Sequence, residues 1–331
     1  MGTDKSVAIG VELSGSGVSV ALIDRRGRVR QRCAARTLKG RPAIATLEPS
    51  LRAIETLLAY AHAENLRVRG LGLCVPGTLD TTARRPLSIP TLPSFNDFPL
   101  CDFLEARYSL PTQLHVDVDA ALLGEHRFGA GKGFRRLLFL TVNAVVGAAL
   151  VVDGKVERAV PHYSEYDRYI GHISHMLVSS HGPLCSCGKR GCINTLVSME
   201  AMQKMVQRAL QRGEETSLKQ RLLNREYFSP QLLAEEAVRG DSVALQVYGE
   251  VGRWLGAATV KYINLFEPNI LILGGGMLNA SNLLLPQVRN ILTSQTSSQV
   301  RTVVEVVPAC LGIDAALVGA VVPLLYWPSK P

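Results

Sequence analysis

Three thiols within eight residues, Cys185-Ser-Cys187-Gly-Lys-Arg-Gly-Cys192, are the most pointed chemistry in the sequence. The two glycines between them let the backbone fold around a small centre. Zinc takes four N or S ligands in a tetrahedron, and a set closed to water is structural rather than catalytic. His175 is the leading fourth ligand, with His172 and His181 competing for the place on spacing. Left unligated beside Lys189 and Arg190, exposed thiols would oxidise readily. A redox pair fits less well, because the two closest cysteines are separated by one residue instead of two.

Other candidates sit where predicted strands end. Asp117 closes an apolar run, Gln113 to Val118, just ahead of a helix expected over Ala120 to Phe128. A carboxylate there can take a proton from a hydroxyl within hydrogen-bond reach, or it can cap the helix, as Asp119 also could. Small-residue stretches follow two of the strands, a Ser14-Gly-Ser-Gly17 turn and Gly274-Gly-Gly276.

The elements that must position these residues alternate between strand and helix, which predicts mixed or largely parallel sheets. Val7 to Leu13 and Val18 to Ile23 form a hairpin around residues 14–17. An amphipathic helix is expected over 46–64, a strand over Val68 to Val75 and a second hairpin at Leu137 to Val142 and Val146 to Val152. Helices follow at Met199 to Gln211, Pro230 to Arg239 and Val243 to Leu265, then a buried strand at Asn269 to Leu273 and a final helix at Ile313 to Leu325. Two strand-loop-strand units suggest a duplicated, two-lobed α/β architecture with a cleft between lobes. The expected division is 1–118, completed by a C-terminal helix at 311–328, and 119–310.

Composition narrows the function classes. A 331-residue chain with 47% hydrophobic and 19% charged residues is globular and large enough for two cores. The amino terminus lacks a secretory pattern, and apolar runs such as Ala144 to Val152 are too short to span a bilayer. A cytoplasmic protein without a membrane partner is expected. The net charge of +8 rests on dispersed Lys and Arg, with short pairs such as Arg25-Arg26, Arg84-Arg85 and Arg135-Arg136, and reads as a solvated surface. Cys33, Cys74, Cys101 and Cys310 read as buried small hydrophobes.

Seven stretches together resemble the repressor, open-reading-frame and kinase (ROK) family: Ile9-Gly-Val-Glu12, Gly72-Leu-Cys-Val-Pro-Gly77, Asp117 to Glu125, Gly171-His-Ile-Ser-His-Met176, the cysteine cluster, Pro268 to Gly276, and Gly312 to Ala320. They run in family order across nearly the whole chain. The resemblance implies a two-lobed actin-like (ribonuclease H-like) ATPase/sugar-kinase fold with a zinc-binding insertion, usually as a homodimer. Family members are ATP-dependent sugar kinases or sugar-sensing regulators. Carried over, Asp117 is the general base; Asp117, His172, His175, Asn194 and Thr91 face the sugar; Glu12, Ser14, Gly15, Ser16, Asn143, Gly147, Gly274, Gly275 and Gly276 face Mg-ATP; and His175, Cys185, Cys187 and Cys192 hold zinc.

Departures from the family pattern bear on activity. The first phosphate loop, Asp-x-Gly-Gly-Thr-Lys in the family, is Glu12-Leu-Ser-Gly-Ser-Gly17 and lacks the cation. The second, Gly-Thr-Gly-x-Gly-Gly-Gly, is Asn143-Ala-Val-Val-Gly-Ala-Ala149, where a β-branched Val145 resists the conformations a phosphate cradle needs. Sugar positions that read Asn-Asp, Glu and Glu are Val116-Asp117, His172 and Asn194, and Thr91 replaces an asparagine. The expectation is a non-catalytic sugar sensor or regulator, the alternative an ATP-dependent hexose or N-acetylhexosamine kinase. Family regulators bind DNA through an amino-terminal domain, so DNA is not an expected partner without one added.

Overall fold

The computed structural model describes residues 4–15, 17–80, 84–143, 145–157, 170–296 and 304–326. Ser16 and Ala144 lie outside the described residues, and His172 is placed by its backbone alone. The chain divides into two compact units, one drawing on Met1–Gly133 and Cys310–Pro331, the other on Phe134–Ala159 and Tyr169–Ala309.

In the first unit, β1 (Ser6–Leu13) and β2 (Val18–Asp24) form the expected hairpin, and β4 (Arg67–Val75) and β7 (Thr112–Val116) extend it in parallel. An unanticipated strand, β3 (Val29–Ala35), completes the sheet, whose order is β3-β2-β1-β4-β7. β1 and β4 are buried on both faces, which is why their sequences are almost continuously apolar. Helix α1 (Ala43–Ala63) lays Leu47, Leu51, Ile54 and Leu57 into the core. β5 (Thr78–Asp80), β6 (Arg85–Ser88) and α2 (Leu100–Tyr108) lie between β4 and β7.

Helix α3 (Asp117–Phe128) belongs to this first unit, so the division falls after Gly133 and not after residue 118. The cause is a close crossing with the C-terminal segment. A Cβ on Gly319 would lie 1.6 Å from the Ala120 carbonyl oxygen, and one on Gly72 would lie 2.2 Å from that of Ala320. Only glycine lets the returning helix seat against both α3 and the sheet. That segment is two helices, Ala315–Ala320 and Val322–Tyr326, where a single helix was expected. Pro323 has no N–H to donate and its ring crowds the carbonyl four residues back, so the helix breaks there.

The second unit repeats the topology. β8 (Arg136–Val142) and β9 (Val146–Val152) form a hairpin edged by β10 (Lys155–Glu157), and β11 (Ile270–Gly274) and β12 (Glu305–Pro308) add in parallel, giving β10-β9-β8-β11-β12. Helices α4 (Asn194–Val197), α5 (Met199–Gln211), α6 (Ser217–Leu223), α7 (Pro230–Val238), α8 (Ser242–Phe266) and α9 (Ser281–Gln295) complete it. α8 is capped by Asp241, which accepts the Ala244 N–H at 2.9 Å, and runs through the core on Val243, Val247, Val251, Leu255 and Tyr262. Among the described residues no helix is long and apolar enough to cross a membrane. Of the four isolated cysteines, Cys74 and Cys101 are buried as expected, whereas Cys33 is half-buried and Cys310 exposed.

Candidate functional site

In the first unit, three parallel strands deliver Glu12, Cys74 and His115 side by side, with Glu12 opposite Cys74 and Cys74 opposite His115. Asp117 follows two residues after His115 at the head of α3. Carboxyl ends of parallel strands are where open α/β sheets place ligands. Asp117 is not the N-cap, a position held by Val116. It is the first helical residue, and its Oδ1 accepts the Val118 N–H at 2.8 Å. Burial pushes its carboxyl up to about 6, against the pull of that bond. Glu12 rises further, to about 7, through burial first and repulsion from Asp117 second, with Arg32 opposing. The pair therefore changes charge near neutral pH, an uncommon state for carboxylates.

The first loop is closed on itself. Ser14 Oγ accepts the Gly17 N–H at 3.2 Å and donates to the Gly17 carbonyl at 3.0 Å. Gly15 packs so tightly on Thr91 that a Cβ there would meet the threonine Cβ at 2.6 Å. Ser14, Gly15 and Thr91 are thus brought together. The serine's oxygen is already engaged within the turn.

In the second unit, the four sulfur and nitrogen donors converge. His175, Cys185, Cys187 and Cys192 place their ligand atoms within 4.8 Å of one another. Cys185 Sγ lies 3.3 Å from His175 Nδ1, and Cys187 Sγ lies 3.6 Å from Cys192 Sγ. A tetrahedron with metal–ligand bonds of 2.0 to 2.3 Å has edges of about 3.5 to 3.8 Å, so the donors fit a zinc ion. His181 is not among them; its Nδ1 bonds with Ser180 Oγ at 2.8 Å. Burial alone would raise the Cys185 thiol, yet hydrogen bonds from Cys187, His175 and Cys192 hold it at about 6.

The loop owes its shape to Gly191, whose φ is +74° and where a Cβ would lie 1.7 Å from the Ser179 carbonyl oxygen. It is anchored to the long helix: Tyr262 Oη donates to the Ile173 carbonyl at 3.1 Å and Lys261 Nζ to that of Leu177 at 2.7 Å.

Cys192 leads directly into α4, and this fixes Asn194. Its Oδ1 accepts the Val146 N–H at 3.0 Å, in the second small-residue loop. Within that loop the Asn143 N–H donates to the Val145 carbonyl at 3.2 Å, and Asn143 Oδ1 accepts the Gly276 N–H at 2.8 Å. Asn143 Nδ2 also donates to Thr141 Oγ1 at 3.0 Å. Gly275, at φ +96°, could not carry a side chain, since a Cβ would meet the Val142 carbonyl oxygen at 2.5 Å. Gly147 continues within β9, opposite Thr141. Two side-chain amides therefore occupy backbone donors around this loop, Asn194 that of Val146 and Asn143 that of Gly276. Sequence reasoning assigned both asparagines to ligands and missed these bonds.

A profile of the ROK family matches residues 8–325. The chain belongs to the ROK family. ROK proteins of both enzymatic and regulatory kinds are similar to it. The glucokinase of Thermotoga maritima is 29% identical over 315 residues, covering 94% of this chain and 95% of that one. The structure of a ROK glucokinase from Streptomyces griseus in complex with glucose and AMPPNP superposes with a TM-score of 0.77 at 27% identity, covering 95% of this chain and 97% of its own. A ROK transcriptional regulator, a homologue of the Escherichia coli Mlc protein, shares the fold with a TM-score of 0.84 at 24% identity, covering 97% of this chain and 78% of its own.

Proposed function

We propose that this ROK chain binds a sugar and senses it without phosphorylating it, on a scaffold held by a structural zinc ion. The observation that carries the reading is the occupied second loop. A nucleotide phosphate seated there must displace the Asn194 amide from Val146 or the Asn143 amide from Gly276, bonds of 3.0 and 2.8 Å. Each displacement costs about 1 kcal/mol net, and the phosphate regains no cation in the first loop. Val145, 59% exposed, adds a β-branched side chain where the family uses glycine. These residues do not fit Mg-ATP as a tight ligand. On this reading the candidate sugar residues of the first unit are Asp117 and Thr91 and those of the second His172, His175 and Asn194, of which His175 and Asn194 are engaged by the cysteine cluster and by Val146.

A second reading, an ATP-dependent sugar kinase, is favoured by one observation. Asp117, with its carboxyl at about 6, is ionised enough near neutral pH to take a proton from a sugar hydroxyl and basic enough to hold it. ADP release is measured with MgATP and a panel of hexoses, N-acetylhexosamines and pentoses, with Asp117→Ala as the blank. Calorimetric titration follows with sugar and with ATP. Sugar binding with no turnover supports the sensor; turnover lost in Asp117→Ala refutes it and establishes the kinase.

A further inference from the structure

The excess positive charge sits in one place. Of 36 Lys and Arg residues, eight fall within 25–41, a stretch without a single acid; the rest of the chain carries 28 of each sign. The sequence reading of dispersed cations is corrected on this point. These residues occupy the tip of the β2–β3 hairpin, the edge strand β3 and the turn after it.

Four of the eight are paired: Arg25 with Asp4, Arg28 and Arg30 with Asp24, and Arg32 with Asp314. Among the described residues no carboxylate pairs with Arg26, Arg36, Lys39 or Arg41, and all four are exposed. Cations on an edge strand commonly guard it against pairing with another chain. That explanation covers Arg30 and Arg32, which lie on β3. It does not cover the four unpaired ones, which lie beyond both its ends, where there is no edge to guard.

β3 has seven residues, about 23 Å at 3.3 Å each, so Arg26 and Arg36 bracket a stripe of about 30 Å. One turn of duplex is about 34 Å. Seven of the eight cations are Arg, whose planar fork matches phosphate oxygens. The stretch holds no aromatic side chain, so it offers bases no stacking platform, and its exposed apolar residues are only Ala34 and Ala35, too little to anchor in a lipid interface. We infer that the β2–β3 hairpin docks on the phosphate backbone of duplex nucleic acid, without reading its sequence. The contact is independent of any amino-terminal DNA-binding domain.

The test is fluorescence anisotropy of a labelled mixed-sequence DNA duplex of about 20 base pairs with the full chain, from 50 to 200 mM KCl. With about −0.9 per phosphate neutralised, four cations give a log–log salt slope of about −3.6, a loss of about 150-fold in affinity over that range. The Arg26→Ser, Arg36→Ser, Lys39→Ser, Arg41→Ser variant loses this slope. If it fails to fold by circular dichroism, single Arg26→Ser and Lys39→Ser variants each lower the slope by about 0.9. The inference is overturned by no duplex binding at 50 mM KCl, by duplex binding unchanged in folded variants, or by tighter binding to phosphatidylserine vesicles, inorganic polyphosphate or the single strand than to the duplex. Self-association of the variants with duplex binding intact likewise assigns these cations to edge protection.

Discussion

Replacing Glu12 with Gln isolates the cost of a carboxylate that the fold holds out of water. The folded chain keeps its proton on Glu12 until about pH 7, whereas the unfolded chain releases it near 4.5. Unfolding therefore releases a proton in that window, and stability falls as pH rises from 4.5 to about 7 and is level above it. A displacement of about 2.5 units at 1.36 kcal/mol each sets a ceiling of about 3 kcal/mol. Partial exposure of the side chain lowers the expected figure to about 1 to 2 kcal/mol. Gln has the same shape and no charge, so Glu12→Gln gains that amount at pH 8 and under about half a kcal/mol at pH 4.5. Urea denaturation of both proteins at the two pH values measures it, the difference between them removing every titrating group that does not interact with Glu12. An equal advantage at both pH values, or a variant less stable than the parent at pH 8, refutes the placement of a strained carboxylate at this strand end.

The remaining expectations concern the second unit. Elemental analysis is expected to find one zinc per chain, lost in Cys192→Ser together with protease resistance between Leu177 and Asn194, because Cys192 is fully buried. Gly191→Ala is expected to destabilise by about 2 kcal/mol or more and to lower zinc content, since its Cβ would lie 1.7 Å from the Ser179 carbonyl oxygen at φ +74°. Asn194→Ala leaves the Val146 N–H without its acceptor, which costs about 1 to 3 kcal/mol and accelerates hydrogen exchange at Val146 specifically. Unchanged exchange there removes the Asn194 bond from the account of the loop.

Much of the architecture was legible because burial imposes a period. β1, β2 and the β8–β9 hairpin announced themselves by apolar runs with a turn between, and the α5 boundaries, Met199–Gln211, match those expected. β3 was missed because it is an exposed edge, VRQRCAA, in which pairing with β2 and not burial makes the strand. The cysteine cluster was legible because its donors are close in sequence. The bonds that fill the second loop were not, since Asn143 meets Gly276 across 133 positions and Asn194 meets Val146 across 48. A side chain's partner at that distance is fixed by the sheet that brings it there, and residue type alone does not name it.

The return of the last helices to α3 also orders the chain in time. During synthesis β1, β4, β7 and α3 leave the ribosome long before Ala315–Ala320, whose backbone lies directly against Gly72 and Ala120. Until then the first unit has its sheet and an uncovered apolar face, including Ala8, Ala21 and Ile23, which pack with Leu317, Val318 and Val321 in the finished protein. The second unit, ending at Ala309, has all its strands by that stage. The half made first is therefore the half finished last, so a released chain ending near residue 310 would present an exposed sheet to chaperones and proteases while the later half has every one of its strands.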